Sequence, residues 1–261
     1  MFDFLRKVAL ITGGAKGIGL KYAEQLLKNG IKGISIIDCD VQTGQKTTEI
    51  LQKSFKNSHI IFIEADTSNE KSFDAAFKET ISKFGQLDIV LNNAGIWNEL
   101  TPQKMIDINL KGTTTGTLLA FQKYLPKYKS GDEGIIINTS SLAGLIPVAF
   151  TPVYCATKHG IVALSRTLGI DAYYEKNKVR VHALCAGPTD TPMCQIPQEE
   201  CLFPQQIDVM NRFMEKRKMQ KPDVVAEAMI EILKNGKNGS IWLVNEDERY
   251  EVQLPEVVTR K

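Results

Sequence analysis

Tyr154 and Lys158 stand four residues apart, a spacing that puts both side chains on one face of a helix. A free tyrosine titrates at about pH 10, too high for an efficient base near neutrality. A neighbouring ammonium favours the phenolate, so such a pair could take a proton from an alcohol or return one to a carbonyl. Ser141 stands thirteen residues before the tyrosine. Its hydroxyl could hold a substrate oxygen and stabilise charge developing there, with Ser140 as the rival for that role. Tyr-x-x-x-Lys also describes two half-exposed helix residues with no chemistry, so the reading depends on what surrounds it.

The run VALITGGAKGIG over residues 8–19 reads as a buried strand, a glycine turn and the opening of a helix. Gly13, Gly17 and Gly19 follow the pattern T-G-x-x-x-G-x-G. Glycines in such a turn allow a tight bend, close backbone approach to a phosphate, and close packing of helix on strand. The helix opening near Gly17 and Ile18 offers unpaired N–H groups and a positive dipole end to an anion. An ordinary strand-to-helix turn would use the same glycines. Asp38 ends the second predicted strand, where a carboxylate can accept from both hydroxyls of an adenosine ribose and repel a phosphate added to it. Asp40 reads better as a turn residue. Lys16 argues the other way, as a base that could meet such a phosphate.

These residues need a scaffold. Strand-like apolar runs fall at 8–11, 33–37, 60–64, 89–91, 134–138, 179–184 and 240–244, and helical patterns at 18–28, 73–83, 105–125, 153–175 and 222–233. Such alternation implies a doubly wound parallel α/β sheet of seven strands with helices on both faces. The chain of 261 residues is long enough for one such domain, and no linker divides it. Residues 188–221 depart from the alternation and carry Met193, Ile196, Leu202, Phe203, Met210, Phe213 and Met214. They suggest a small helical lid, with core or a subunit interface as the plainer alternatives.

Composition narrows the partners. The formal net charge is +2 with both signs mixed, and no basic block suggests nucleic acid. No apolar run approaches the roughly 20 residues of a membrane span. Residues 1–7 lack a secretory pattern, and five cysteines without a C-x-x-C pair suit reduced thiols in the cytoplasm rather than a metal site.

Read with Asn92-Asn93-Ala94-Gly95, these segments resemble the short-chain dehydrogenase/reductase family, in order and in register over nearly the whole chain. The resemblance implies a Rossmann fold and hydride transfer between a nicotinamide cofactor and an alcohol or its carbonyl. It selects Ser141 over Ser140 and adds Asn109, which in the family bends its helix and carries a water to the lysine. The implied tetrad is Asn109, Ser141, Tyr154 and Lys158. An acid at Asp38 implies NAD. Lys16 keeps an NADP-dependent carbonyl reductase as the alternative, and a non-catalytic dinucleotide-binding regulator is a more distant one.

The resemblance also brings Asp66 and Thr67 to the adenine, Asn92, Ala94 and Gly95 beside the adenosine, and Gly187, Thr189 and Thr191 to the nicotinamide side. Asp66 could equally cap the following helix. Ala186-Gly187 replaces the family's usual Pro-Gly, and His159 and His182 read as structural. Residues 136–148 and 152–162 resemble, beyond the family level, the branch of hydroxyprostaglandin dehydrogenases and insect alcohol dehydrogenases. There Thr151 stands where the prostaglandin branch has a substrate-holding glutamine. The implied substrate is a hydrophobic secondary alcohol or its ketone, of lipid, terpenoid or steroid type, met by Ser141, Thr151, Tyr154 and Met193. A homodimer or homotetramer paired through 105–125 and 153–175 is implied as well.

Overall fold

Val8–Thr12 (β1), Gly33–Asp38 (β2), Ile89–Asn92 (β4) and Val179–Ala186 (β6) are buried along almost their whole lengths. Continuous apolar runs of this kind suit parallel strands covered on both faces. With His59–Glu64 (β3), Gly134–Ser141 (β5), Ile241–Asn245 (β7) and Glu248–Glu251 (β8) they form one sheet in the order β3-β2-β1-β4-β5-β6-β7-β8. This is a computed structural model, and it describes residues 3–194, 202–203, 207–215, 218–246 and 248–254.

The first seven strands pair in parallel and β8 runs antiparallel to β7. The sheet therefore has eight strands where the apolar runs predict seven. The extra strand reads Glu-Arg-Tyr-Glu and is mostly exposed. It has no apolar alternation to announce it, and its charged side chains cover the edge of β7.

Two apolar layers flank the sheet. One packs Tyr22, Leu26, Met229 and Ile232 against one face of the sheet; the other packs Phe73, Phe77, Phe121 and Tyr124 against the opposite face. Strand order reverses beside β1, between β2 and β4, and a cleft opens there at the carboxyl ends of the strands.

Two helices depart from expectation in ways that bear on the site. Residues 102–128 form one helix with widened turns at Ile106–Gly112 and Leu119–Tyr124. Pro126, just beyond the second widened stretch, supplies no N–H to the helix ladder. The pattern at 153–175 divides into Pro152–Leu168 and Asp171–Asn177. At the break, a Cβ on Gly169 would stand 2.3 Å from Gly239 Cα, and Asn238 Nδ2 donates to the Gly169 carbonyl at 2.7 Å. A distant loop thus takes the carbonyl that would extend the helix.

Within the described part of 188–221, a short turn, Pro192–Cys194, and a helix, Ile207–Glu215, are present. The ends of the insertion are tied together: Asp190 N donates to Gln220 O at 2.9 Å and Gln220 N to Pro188 O at 3.0 Å. Ile196, Cys201 and the side chain of Met214 lie outside the described residues.

Candidate active site

The glycine turn forms one end of the cleft, which has a volume of about 390 Å³. Gly13 has φ +62° and Gly17 φ +59°, conformations that disfavour any side chain. A Cβ on Gly13 would lie 2.9 Å from Ala94 Cα. Gly19 plays a different part. It does not face the cleft, and a Cβ there would strike the Gly13 carbonyl at 2.2 Å, so it lets the helix pack under the turn.

Asp38 reaches the same end from β2. Its Oδ2 accepts from Ala15 N at 3.1 Å and its Oδ1 from Asp40 N at 3.1 Å, which leaves each oxygen with capacity to accept again. Asp40 caps the next helix by accepting from Thr43 N at 3.1 Å. Lys16 is exposed and lies 3.6 Å from the Asp40 carboxylate. A dinucleotide fits these residues: backbone room and N–H groups for the pyrophosphate, and carboxylate acceptors for a ribose diol. A ribose phosphate would meet two carboxylates, with the neighbouring lysine already turned to one of them.

Asp66 and Thr67 also line this end. The helix-cap role falls to Asn69, which accepts from Ser72 N at 3.1 Å; Asp66 instead holds its own turn through Ser68. Ala94 and Gly95 line the cleft, but Asn92 does not. Asn92 is buried behind it, where its Nδ2 donates to Asn138 Oδ1 at 2.9 Å and Thr117 Oγ1 at 3.2 Å. Its neighbour Asn93 faces the cleft and ties Gly13 down, donating to the carbonyls of Thr12 and Gly13 at 3.1 and 3.2 Å.

Ser141, Tyr154 and Lys158 meet at the other end. Ser141 ends β5; Tyr154 and Lys158 come from Pro152–Leu168. The Tyr154 phenol and the Ser141 hydroxyl both face the cleft. Ser140 also lines the cleft, but its hydroxyl is engaged, donating to the Lys158 carbonyl at 2.9 Å. Lys158 Nζ donates to the Thr139 carbonyl at 3.0 Å and lies 5.4 Å from the centre of the Tyr154 ring.

Burial pushes the Tyr154 phenol up, and the nearby Ser141 hydroxyl only partly offsets it. Burial lowers Lys158 from 10.5 to about 8. The sequence predicts a tyrosine lowered by its lysine together with the positive ring of an oxidised nicotinamide cofactor. In the fold, desolvation of both groups opposes that, and lowering the phenol requires a further positive charge beside it.

Asn109 sits inside the first widened turn. Its Oδ1 accepts from Ile96 N at 2.8 Å and its Nδ2 donates to Ile96 O at 2.9 Å, so the side chain clamps the loop after β4. Gly95 lies between Asn109 and Lys158: a Cβ there would stand 3.3 Å from Asn109 Oδ1 and 3.7 Å from Lys158 Nζ. Asn109 therefore lies behind the cleft wall, near the lysine.

Gly187, Thr189, Thr191 and Met193 line the side facing the glycine turn, with Thr191 across from Gly17. Thr151 also lines the cleft, but its hydroxyl is taken: it accepts from Trp97 Nε1 at 2.6 Å and donates to Glu99 Oε1 at 2.8 Å.

The model of the family described as short chain dehydrogenase matches residues 7–201. This chain belongs to the short-chain dehydrogenases. Its relatives include 15-hydroxyprostaglandin dehydrogenase [NAD(+)] of Mus musculus, 36% identical over 91% of this chain and 89% of its own length. Alcohol dehydrogenase 1 of Ceratitis capitata is 29% identical over 92% of both chains. Among solved structures, levodione reductase matches with a TM-score of 0.79 and 25% identity over 93% of this chain and 97% of its own. A short-chain dehydrogenase/reductase from Burkholderia phymatum in complex with NAD matches with a TM-score of 0.80, over 93% and 90%; at 23% identity it speaks for the fold.

In this short-chain dehydrogenase, sequence reasoning missed Asn93, Trp97 and Glu99. Glu99 is fully buried. Its Oε1 also accepts from Tyr154 N at 3.0 Å and its Oε2 from Val153 N at 3.1 Å. The one signal was indirect: the helix beginning Thr-Pro-Val-Tyr has no acid in its first turn and needs its N–H groups met from elsewhere.

Proposed function

We propose that this oxidoreductase is an NAD-dependent dehydrogenase of a hydrophobic secondary alcohol. The observation that carries the reading is the meeting of Ser141, Tyr154 and Lys158 at one end of a cleft whose other end is marked by the glycine turn and Asp38. NAD, when bound, supplies the hydride acceptor. Ser141 holds the alcohol oxygen, and Tyr154 takes its proton at the phenolic oxygen. Lys158, fixed to Thr139 O beneath the ring, favours the phenolate when charged. Asn109 holds the Ile96 backbone beside that lysine. The curated relatives act, by their names, on a hydroxyprostaglandin and on alcohols, which supports a carbinol as the reacting group.

The pocket beyond Tyr154 is apolar: Trp97, Val148, Phe150 and Phe213 line it, with Phe150 and Phe213 edge to face at 5.4 Å. This supports a lipid-, terpenoid- or steroid-like body on the substrate. Because the Thr151 hydroxyl is engaged by Trp97 and Glu99, it does not duplicate a glutamine amide, and prostaglandin itself is not favoured.

An NADP-dependent carbonyl reductase is the second reading, favoured by Lys16. The pairing of Lys16 with Asp40 weighs against it. The test is a panel of 2-butanol, 2-octanol, cyclohexanol, menthol and a hydroxysteroid, read by NADH absorbance and repeated with NADP. We expect kcat/KM to favour NAD by about tenfold or more, since charge repulsion and lost ribose bonds are together worth a few kcal/mol. Asp38→Ala should remove most of that preference. Equal use of the two cofactors by the wild type would defeat the assignment, and no turnover across the panel would defeat the substrate class.

The reading places the enzyme in the cytoplasm as a homodimer or homotetramer. It is supported by the four described cysteines being free thiols, and by Leu118 and Leu164, which remain half-exposed on the two long helices. Among the described residues no helix is long and apolar enough to cross a membrane.

A further inference from the structure

The first turn of Pro152–Leu168 is capped from outside its own sequence. Pro152, at its first position, has no N–H. Val153 N and Tyr154 N donate to Glu99, and Cys155 N donates to Thr151 O at 2.9 Å as the first bond of the helix. Thr151 occupies the N-cap position, yet its hydroxyl does not cap its own helix; it reaches across to Glu99. One buried carboxylate therefore takes up a hydroxyl and two backbone amides, including the amide of the proton-transfer tyrosine.

The same network reaches the substrate pocket. Trp97 lines the cleft and packs with Val148, Phe150 and Tyr154, and its indole N–H is held by the Thr151 hydroxyl. Trp97 and Glu99 lie on the loop that leaves β4, two residues apart. One residue before Trp97 that loop is pinned by Asn109 through Ile96. The chain of contacts runs from the pocket wall at Trp97, through Thr151, to Glu99 and then to Tyr154.

We propose that Glu99 is a positioning residue that fixes Tyr154 and, through Thr151, sets the indole of Trp97 as the wall that selects the alcohol. The inference rests on the reading of Tyr154 as the proton-transfer group. Helix placement matters here because a misplacement of about 1 Å at a reacting group can cost roughly a hundredfold in rate. A glutamine at position 99 keeps the volume but turns one acceptor oxygen into a donor, which would face a backbone N–H.

The test uses the full chain, NAD and the two most active alcohols of the panel above. Glu99→Gln should lower kcat by about tenfold to a hundredfold, counted per NADH-binding site by fluorescence titration, while NADH affinity stays as in the wild type. A purely structural role would instead lower the unfolding temperature and leave kcat per site unchanged. Thr151→Val keeps the carboxylate on the helix amides but releases the indole. It should raise KM more than it lowers kcat and shift the selectivity ratio between the two alcohols. Thr151→Ser should bring that ratio back. A Glu99→Gln protein with wild-type kcat per site overturns the inference, as does a Thr151→Val protein with the wild-type selectivity ratio. If Glu99→Gln does not fold, the Thr151 pair decides alone. Failure of the underlying reading looks different, because in that case Tyr154→Phe itself retains activity.

Discussion

The two ends of the parallel sheet treat buried ionisable groups in opposite ways. At the amino end, Asp88 is fully buried and saturated: it accepts from Val8 N at 2.9 Å, Ser130 N and Oγ at 2.7 Å each, Gln86 Nε2 at 3.0 Å and Lys7 Nζ at 3.2 Å. It fastens the starts of β1 and β4 to the turn before β5. At the carboxyl end, Lys158 is just as enclosed but donates to one carbonyl, and no carboxylate of the described residues pairs with it. Tyr154 above it is raised by the same burial. A buried charge with every partner supplied holds the fold, whereas one left short of partners keeps its capacity for a reaction.

Substitutions at the two ends should separate activity from stability. The largest effect is expected for Tyr154→Phe, which removes one oxygen and little volume. Its kcat for alcohol oxidation should fall by about 10²–10⁴, with NADH affinity and unfolding temperature near wild type. A folded, cofactor-binding variant with near wild-type kcat would falsify the proton-transfer role. Asp88→Ala should do the reverse. Leaving five donors short of an acceptor should cost about 3–5 kcal/mol in denaturant unfolding while kcat per folded molecule is retained. Equal losses of activity from both ends would erase the contrast.

The smallest non-zero change in stability concerns Lys158 and has an unusual sign. Its folded value of about 8 lies below the ordinary lysine value of 10.5, so the folded state holds this proton less tightly than the unfolded chain. The penalty on folding is complete below pH 8 and fades as pH rises from 8 to 10.5. Lys158→Met should therefore abolish activity yet stabilise the fold at pH 7 by about 1–3 kcal/mol, less the lost bond to Thr139, with the advantage shrinking toward pH 10. Urea unfolding of both proteins at pH 7 and 10 checks this; a variant less stable at pH 7 than at pH 10, relative to wild type, would refute it.

Much of this contrast was legible in the residues themselves. The glycine turn, the strand-ending Asp38 and the four-residue step from Tyr154 to Lys158 are local patterns, and local patterns survive folding. What escaped notice depends on distant chain. Asn92 and Asn93 are adjacent and alike, and only the pleat of β4 turns one to the core and the other to the cleft. Glu99 meets a helix start more than fifty residues later. The break after Leu168 is imposed by Gly239 and Asn238, and β8 is created by an edge that needed covering. The burial that raises Tyr154 was hidden for a related reason: spacing shows which groups meet, but not how much water the meeting excludes.

The stapled base of the insertion has a consequence of its own. Pro188, Asp190 and Gln220 are joined by backbone bonds, and Gln220 Nε2 also donates to the Val244 carbonyl of β7 at 3.0 Å. The chain leaves the sheet and returns to it at one anchored point, so changing the length between the staples alters closure entropy only logarithmically. The sheet and the helix bearing Tyr154 hold the proton-transfer groups, while Met193 and Phe213 reach the cleft from between the staples. Exchanging Met193 or Phe213 therefore alters the pocket wall without renegotiating the fold that holds Ser141, Tyr154 and Lys158.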